Sequence, residues 1–169
     1  SQRTNIHAQT DAGEAVDAAA PGANVRMGLL RKKPNWSSEQ FSAHWRDKHA
    51  PLAARAPNLR EYWQNRVTER LQRGIEFARG PWDFDGFSQL YFDDVDQADH
   101  AFANGDVGAA LIADEQRFLG DLNIVTAVQH VVVPLPAAPK RATLLKRMST
   151  LRRRPDLSED DFRREWIVH

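Results

Sequence analysis

From Val25 onward the chain switches between two hydrophobic rhythms, and the order of the switches predicts a fold. Val25–Lys32 reads as a strand, and Ser38–Arg55 as a helix whose Phe41, Trp45, His49 and Ala53 recur at steps of four along one face. Leu59–Thr68 reads as a second strand, followed by a charged excursion, Glu69–Trp82. Gly86–Phe92 is a third strand. Helix Val95–Ala103 follows the acidic stretch "DDVD", which suits the positive end of a helix. "GDVGAALIADEQRFL" adds a further helical turn or two, and Asn123–Val133, rich in β-branched residues, closes the unit as a strand. The order βαββαβ predicts an α+β, ferredoxin-like domain with an antiparallel sheet over residues 25–133. Residues 1–24 hold only Ile6 and Val16 as large apolar side chains, too few to offset the entropy of ordering them, and read as a disordered or extended arm.

The same pattern starts twice. "MGLLRKKPNWSSEQFSAHW" (Met27–Trp45) aligns without a gap on "MSTLRRRPDLSEDDFRREW" (Met148–Trp166), keeping methionine, leucine, arginine, proline, serine, phenylalanine and tryptophan in register. Each copy reads as a strand, a basic turn with proline, and the start of a helix. Ser37 with Gln40, and Ser158 with Asp161, have capping-box spacing. Trp36 with Phe41, and Leu157 with Phe162, have staple spacing. "PLPAAPK" (134–140) reads as a semi-rigid linker, and 141–169 as the start of a second repeat that stops soon after its helix begins.

Composition narrows the partners. Lys plus Arg total 23 and Asp plus Glu total 23, so no net field draws the chain to nucleic acid or an anionic membrane. There is no cysteine, which excludes disulfides, thiolate nucleophiles and cysteine-based zinc sites and hints at a reducing, cytoplasmic setting. The basic run Lys140–Arg154 is interrupted by apolar residues at strand spacing and lacks aromatics for base stacking. No apolar run approaches the ~18 residues of a membrane span. The phosphate-loop, G-x-S-x-G and H-E-x-x-H patterns are absent.

The remaining chemistry lies in "FSAHWRDKHAPLAARAPNLREYW" (Phe41–Trp63). His49 ends the apolar stripe and precedes "AP", so a helix break near it would turn the ring toward a cleft, while a packing role is the competing reading. With an ordinary pKa of ~6.5 it can exchange a proton near neutrality. His44, five residues earlier, would lie about 140° away on an α-helix, solvated beside Lys48 and unable to share a metal with His49. Strand alternation over Leu59–Val67 puts Leu59, Trp63 and Val67 on an apolar face for the helices. Arg60, Tyr62, Gln64 and Arg66 then fall on a polar face that needs a cavity. Tyr62 there is either a donor to a developing oxyanion or a satisfied packing residue. Gln89 and Tyr91 share a face of the next strand, and Gln129 and His130 oppose each other on the last, with the register deciding which line a cavity.

The motif "PNWSSEQFSAHWRDKHAPLAARAPNLREYW" resembles the EthD family of small dimeric α/β-barrel proteins, over about Val25–Val133. The resemblance implies a ferredoxin-like subunit whose sheet pairs with a second sheet, from a homodimer partner or from the second repeat, around a small organic molecule. It also implies cofactor-free proton transfer, an isomerisation or a dehydratase/lyase reaction on a lactone, aromatic or polyketide-like compound. His49 and Tyr62 would be the catalytic pair. Trp45 and His44 would lie beside them, and Gln64, Arg66, Gln89, Tyr91 and His130 are the further candidates for binding substrate. A non-catalytic binding protein or a monooxygenase of the same architecture are the alternatives. The second copy departs from the motif: Glu165 stands in place of His44, and His169 follows Trp166 after two residues where His49 follows Trp45 after three. On an α-helix that would set it a step earlier, about 100° away.

Overall fold

The computed structural model describes residues 24–70, 83–93, 95–103, 105–137 and 143–168. The chain divides into two units, residues 1–76 with 83–132, and residues 77–82 with 133–169. The expectations for residues 1–23 and for most of the charged excursion and the Pro/Ala linker's C-terminal end lie outside the described residues.

The first unit is the ferredoxin-like α+β fold. Strands β1 (Asn24–Lys32), β2 (Leu59–Arg66), β3 (Gly86–Phe92) and β4 (Leu119–Val128) form one antiparallel sheet in the order β2-β3-β1-β4. Between β1 and β2 run α1 (Ser38–His44), a π-helical segment (Trp45–His49) and α2 (Ala50–Ala53), while α3 (Val95–Ala103) and α4 (Gly105–Phe118) join β3 to β4. The expected "turn or two" before β4 is thus a full 14-residue helix. Gly105, at φ 87°, supplies the left-handed backbone that separates it from α3. The closing strand starts at Leu119 rather than Asn123 and stops at Val128 rather than Val133, because its ladder with β1 runs from Lys32–Leu119 to Asn24–Val128.

α1 starts as its sequence dictates. Gln40 N–H donates to Ser37 Oγ (3.1 Å) and Ser37 N–H to Gln40 Oε1 (2.9 Å), a closed capping box. The helix does not break at "HAP". Pro51 lacks an N–H, and its ring crowds the carbonyl four residues back, that of Asp47. The chain widens instead, and Ala50 N–H bonds to Trp45 O, five residues back. The freed geometry is reinforced from the sheet, where Gln64 Nε2 donates to the same carbonyl at 2.9 Å.

Leu30, Phe41, Trp45 and Phe118 form the core, with Trp36, Leu119 and Leu122 packed against them. Trp45 is 2% exposed and lies over Gly86, where a Cβ would come within 2.6 Å of its ring. Glycine there is required by the tryptophan. Side chains buried this completely contribute about 1.5–3 kcal/mol each.

The second unit carries α5 (Glu159–Val168). Its turn repeats the first copy's: Leu157 N–H donates to Arg154 O at 3.1 Å, as Trp36 N–H does to Lys33 O at 3.1 Å. Asp161 N–H caps on Ser158 Oγ (3.0 Å), but the shorter carboxylate accepts from the serine hydroxyl (2.6 Å) rather than from the backbone. The strand expected before this turn does not form: residues 144–154 are irregular. A strand needs a neighbour for its N–H and C=O groups, and among the described residues only the first copy's has one.

Candidate functional site

The π-helical segment decides where the histidines go. A turn that closes on the fifth residue stacks positions five apart on one side, so His44 and His49 face the same neighbour. That neighbour is Asp114 of α4. His44 Nε2 lies 2.9 Å from Asp114 Oδ1, and His49 Nδ1 lies 3.0 Å from Asp114 Oδ2. The solvated position expected for His44, 140° from His49, is therefore corrected by the π geometry. His44 packs against Trp36 and Phe118, and His49 against Phe118, with ring centroids 4.8–5.4 Å apart.

A carboxylate only accepts, so both rings must donate to it. For neutral His49 this places the proton on Nδ1 and leaves the Nε2 lone pair free to act. Burial pushes the His49 pKa down, outweighing the hydrogen bond and charge of Asp114, which push it up. The neutral, basic imidazole is the favoured form.

His49 lines a cavity of about 380 Å³ between the sheet and the helices, together with Trp45, Tyr62, Ser88 and Glu115. This is where the face assignment of β2 is corrected. Tyr62 and Gln64 lie on the helix side of the sheet, not on an opposite polar face. The register slips between Leu59 and Glu61, so Leu59 (paired with Phe92) and Tyr62 (paired with Leu90) share a face, and Trp63 (paired with Gln89) takes the other. A bulge reverses the alternation that a strict period of two extrapolates.

The Tyr62 hydroxyl accepts from Gln64 Nε2 at 2.9 Å. Burial raises its pKa, while Gln64 and the nearby Trp45 indole pull it down, so the phenol keeps its proton for donation. Trp45 Nε1 is buried and makes no hydrogen bond among the described residues. Glu115, adjacent to Asp114 in sequence, turns toward the cavity. Burial raises its carboxyl pKa, Arg26 opposes this, and Asp114 adds to it. Base, neutral donor and a carboxyl biased toward its acid form thus line one space.

The other sequence candidates separate from this group. Arg66 is exposed at the end of β2. Gln89 and Tyr91 belong, by their pairing with Met27 and Val25, to the sheet face away from the cavity, where Tyr91 OH accepts from Gln129 at 2.9 Å. His130 is exposed beyond β4. None of the four lines the cavity. Sequence reasoning missed Asp114, Glu115 and Arg26. Asp114 had a signal: it stands between Leu111 and Phe118 at helical spacing, a charge on an otherwise apolar stripe. Among the described residues no cluster of three or more His, Asp or Glu could hold a metal ion, and no helix is long and apolar enough to cross a membrane.

A four-stranded antiparallel sheet with helices over one face and a small cavity beneath them defines a ferredoxin-like α+β protein. Residues 33–121 match the EthD domain, and the chain belongs to that family. None of the curated proteins matches it. Similar solved structures include an ethyl tert-butyl ether degradation (EthD) family protein from Bacillus halodurans, 24% identical over 63% of this chain and 99% of that one, TM-score 0.49. An EthD-like protein from Ralstonia eutropha is 17% identical over 66% and 95%, TM-score 0.45. A dimeric ferredoxin-like protein of unknown function from Thermobifida fusca is 20% identical over 64% and 92%, TM-score 0.44.

Proposed function

We propose that the chain is a cofactor-free proton-transfer enzyme, an isomerase or lyase acting on a small lactone, aromatic or polyketide-like compound held in the cavity. One observation carries this reading: His49 is oriented through Nδ1 by buried Asp114 while its ring lines the same cavity as Tyr62. Nε2 would remove a proton beside a carbonyl, and Tyr62, held protonated by burial, would donate to the enolate oxygen that results. Trp45, whose Nε1 is a buried donor without a partner among the described residues, would serve the same oxygen, with Gln64 fixing the phenol.

Family membership carries the expectation that a second sheet closes a barrel, and we assign that sheet to a homodimer partner, since the second copy forms no strand among the described residues. Light scattering of the full chain should then give twice the mass of one chain, and a monomer mass would remove the assignment.

Solvent-deuterium exchange into a panel of enolisable lactones and cyclic ketones tests the chemistry. His49→Gln should slow exchange by about 10²–10⁴-fold. Tyr62→Phe should slow it by about 10²–10³-fold. Exchange no faster than in buffer, or wild-type rates in both folded variants, would remove the catalytic reading and leave a binding protein.

A further inference from the structure

Arg26 has no part in the proposed proton transfer, yet among the described residues it is the cavity's one strong cation. It sits on β1, one of the two inner strands, on the face that carries Gly28 and Leu30, and lines the cavity with them. The floor beside it is open because Gly28 has no side chain, and a Cβ there would come within 2.8 Å of Ser88 Oγ. The guanidinium lies over the Phe102 ring, 4.6 Å from its centroid, which holds it away from the sheet. Its Nε is buried and has no hydrogen-bond partner among the described residues.

Unpaired buried donors are rare in folded proteins, and one that lines a cavity calls for an acceptor from the ligand. The acids nearby do not fill that role. Asp99 forms an ion pair with Nε at 3.8 Å, too long for a hydrogen bond, and its side chain is 77% exposed at the rim. Glu115 shares the cavity and attracts the guanidinium, but it makes no hydrogen bond to Nε. Arginine keeps its charge even where burial lowers its pKa, and its planar fork matches a carboxylate. The surrounding wall is apolar, with Leu30, Leu90, Leu111 and Leu122. At about 380 Å³ the cavity stands near the small end of ligand sites, roughly 300–1,000 Å³.

We propose that Arg26 is an anion-binding residue, and that the ligand of this cavity is a small organic acid: a carboxylate on Arg26, with an apolar ring against the leucines and its reacting carbon toward His49. This deepens the function proposed above and rests on the same cavity being the ligand site.

Calorimetric titration of the full chain with 2-naphthoate and with 2-naphthamide, its uncharged counterpart, tests it without any turnover. The acid should saturate the protein, and the amide should bind at least about ten-fold more weakly. Arg26→Gln should abolish that preference, and Arg26→Lys, which keeps the charge but not the fork, should retain part of it. Equal affinities, binding of neither compound, or an undiminished preference in folded Arg26→Gln would overturn the proposal. If Arg26→Gln fails to fold, the contrast between acid and amide in the unaltered protein decides alone. Acid binding without deuterium exchange on any panel compound would sink the proton-transfer reading and leave Arg26 its role, whereas exchange on neutral lactones without acid preference would do the reverse.

Discussion

Met27–Trp45 and Met148–Trp166 share seven identical side chains in register and the same turn and serine cap, yet the two segments end in opposite surroundings. In the first, Leu30 is 3% and Trp45 2% exposed; in the second, their counterparts Leu151 and Trp166 are 54% and 59% exposed. Capping and turn geometry are local, decided within a few residues, so both copies form them. Burial is not local. Phe41 and Trp45 are covered because Phe118, Leu119 and Leu122 arrive from some seventy residues away, and among the described residues the second copy has only Phe162 stacked on Trp166.

The comparison breaks if truncating the two tryptophans costs the same. Trp45→Ala should lower the unfolding free energy of the first unit by about 3–5 kcal/mol, and Trp166→Ala should change it by less than about 0.5 kcal/mol in urea titrations. Equal losses would mean that Trp166 is covered in solution. The next largest effect should come from Asp114, which has no counterpart described in the second unit. Asp114→Ala leaves two histidines without their shared acceptor and should cost about 1–3 kcal/mol. It should also remove the constraint on the His49 tautomer, visible in the ring ¹⁵N shifts, which a purely structural loss would not move.

The pH dependence sharpens the same contrast. His49 has a folded pKa below its unfolded value of about 6.5, so its contribution to stability is present above that pH and is lost as pH falls toward the lowered folded value. Glu115 works in the other direction. Its folded pKa is raised, so its contribution is present below the ordinary carboxyl pKa and is lost as pH rises through the folded value. Urea midpoints measured from pH 4 to 8 should show the acid-side loss vanish in His49→Phe and the loss on raising pH vanish in Glu115→Gln. A profile unchanged by either substitution would contradict the burial of both groups.

The smallest effect belongs to what the copies share. Ser37→Ala should cost about 1 kcal/mol of global stability. Ser158→Ala should register only as faster amide exchange within α5, a helix of the second unit. A global loss from Ser158→Ala would erase the distinction.

How far the sequence was legible follows the same division. Strand and helix order came through because periodicity and caps are local signals, and the serine caps and the proline turn sit where their residues require. The side of β2 did not, because one slipped pairing between Leu59 and Glu61 reverses every following side chain, and alternation carries no mark of it. His49 and Tyr62 were legible as candidates from residue type and position. Their grouping with Asp114 and Arg26 was not, since those contacts are made by α4 and by the strand face, far away in sequence. The face of Gln89 and Tyr91 is open in the sequence for want of a register, which the pairing with β1 supplies.

The widened turn at Trp45–His49 also changes how spacing should be counted. A π turn holds one residue more than an α turn while leaving the helix on either side in phase, so one of exposed Arg46, Asp47 and Lys48 is a surplus residue looped into the helix wall. Trp45 and His49 have three residues between them, Trp166 and His169 two. Taken out, the surplus residue would leave Trp45 and His49 three positions apart on an unbroken α-helix, the spacing that the second copy has.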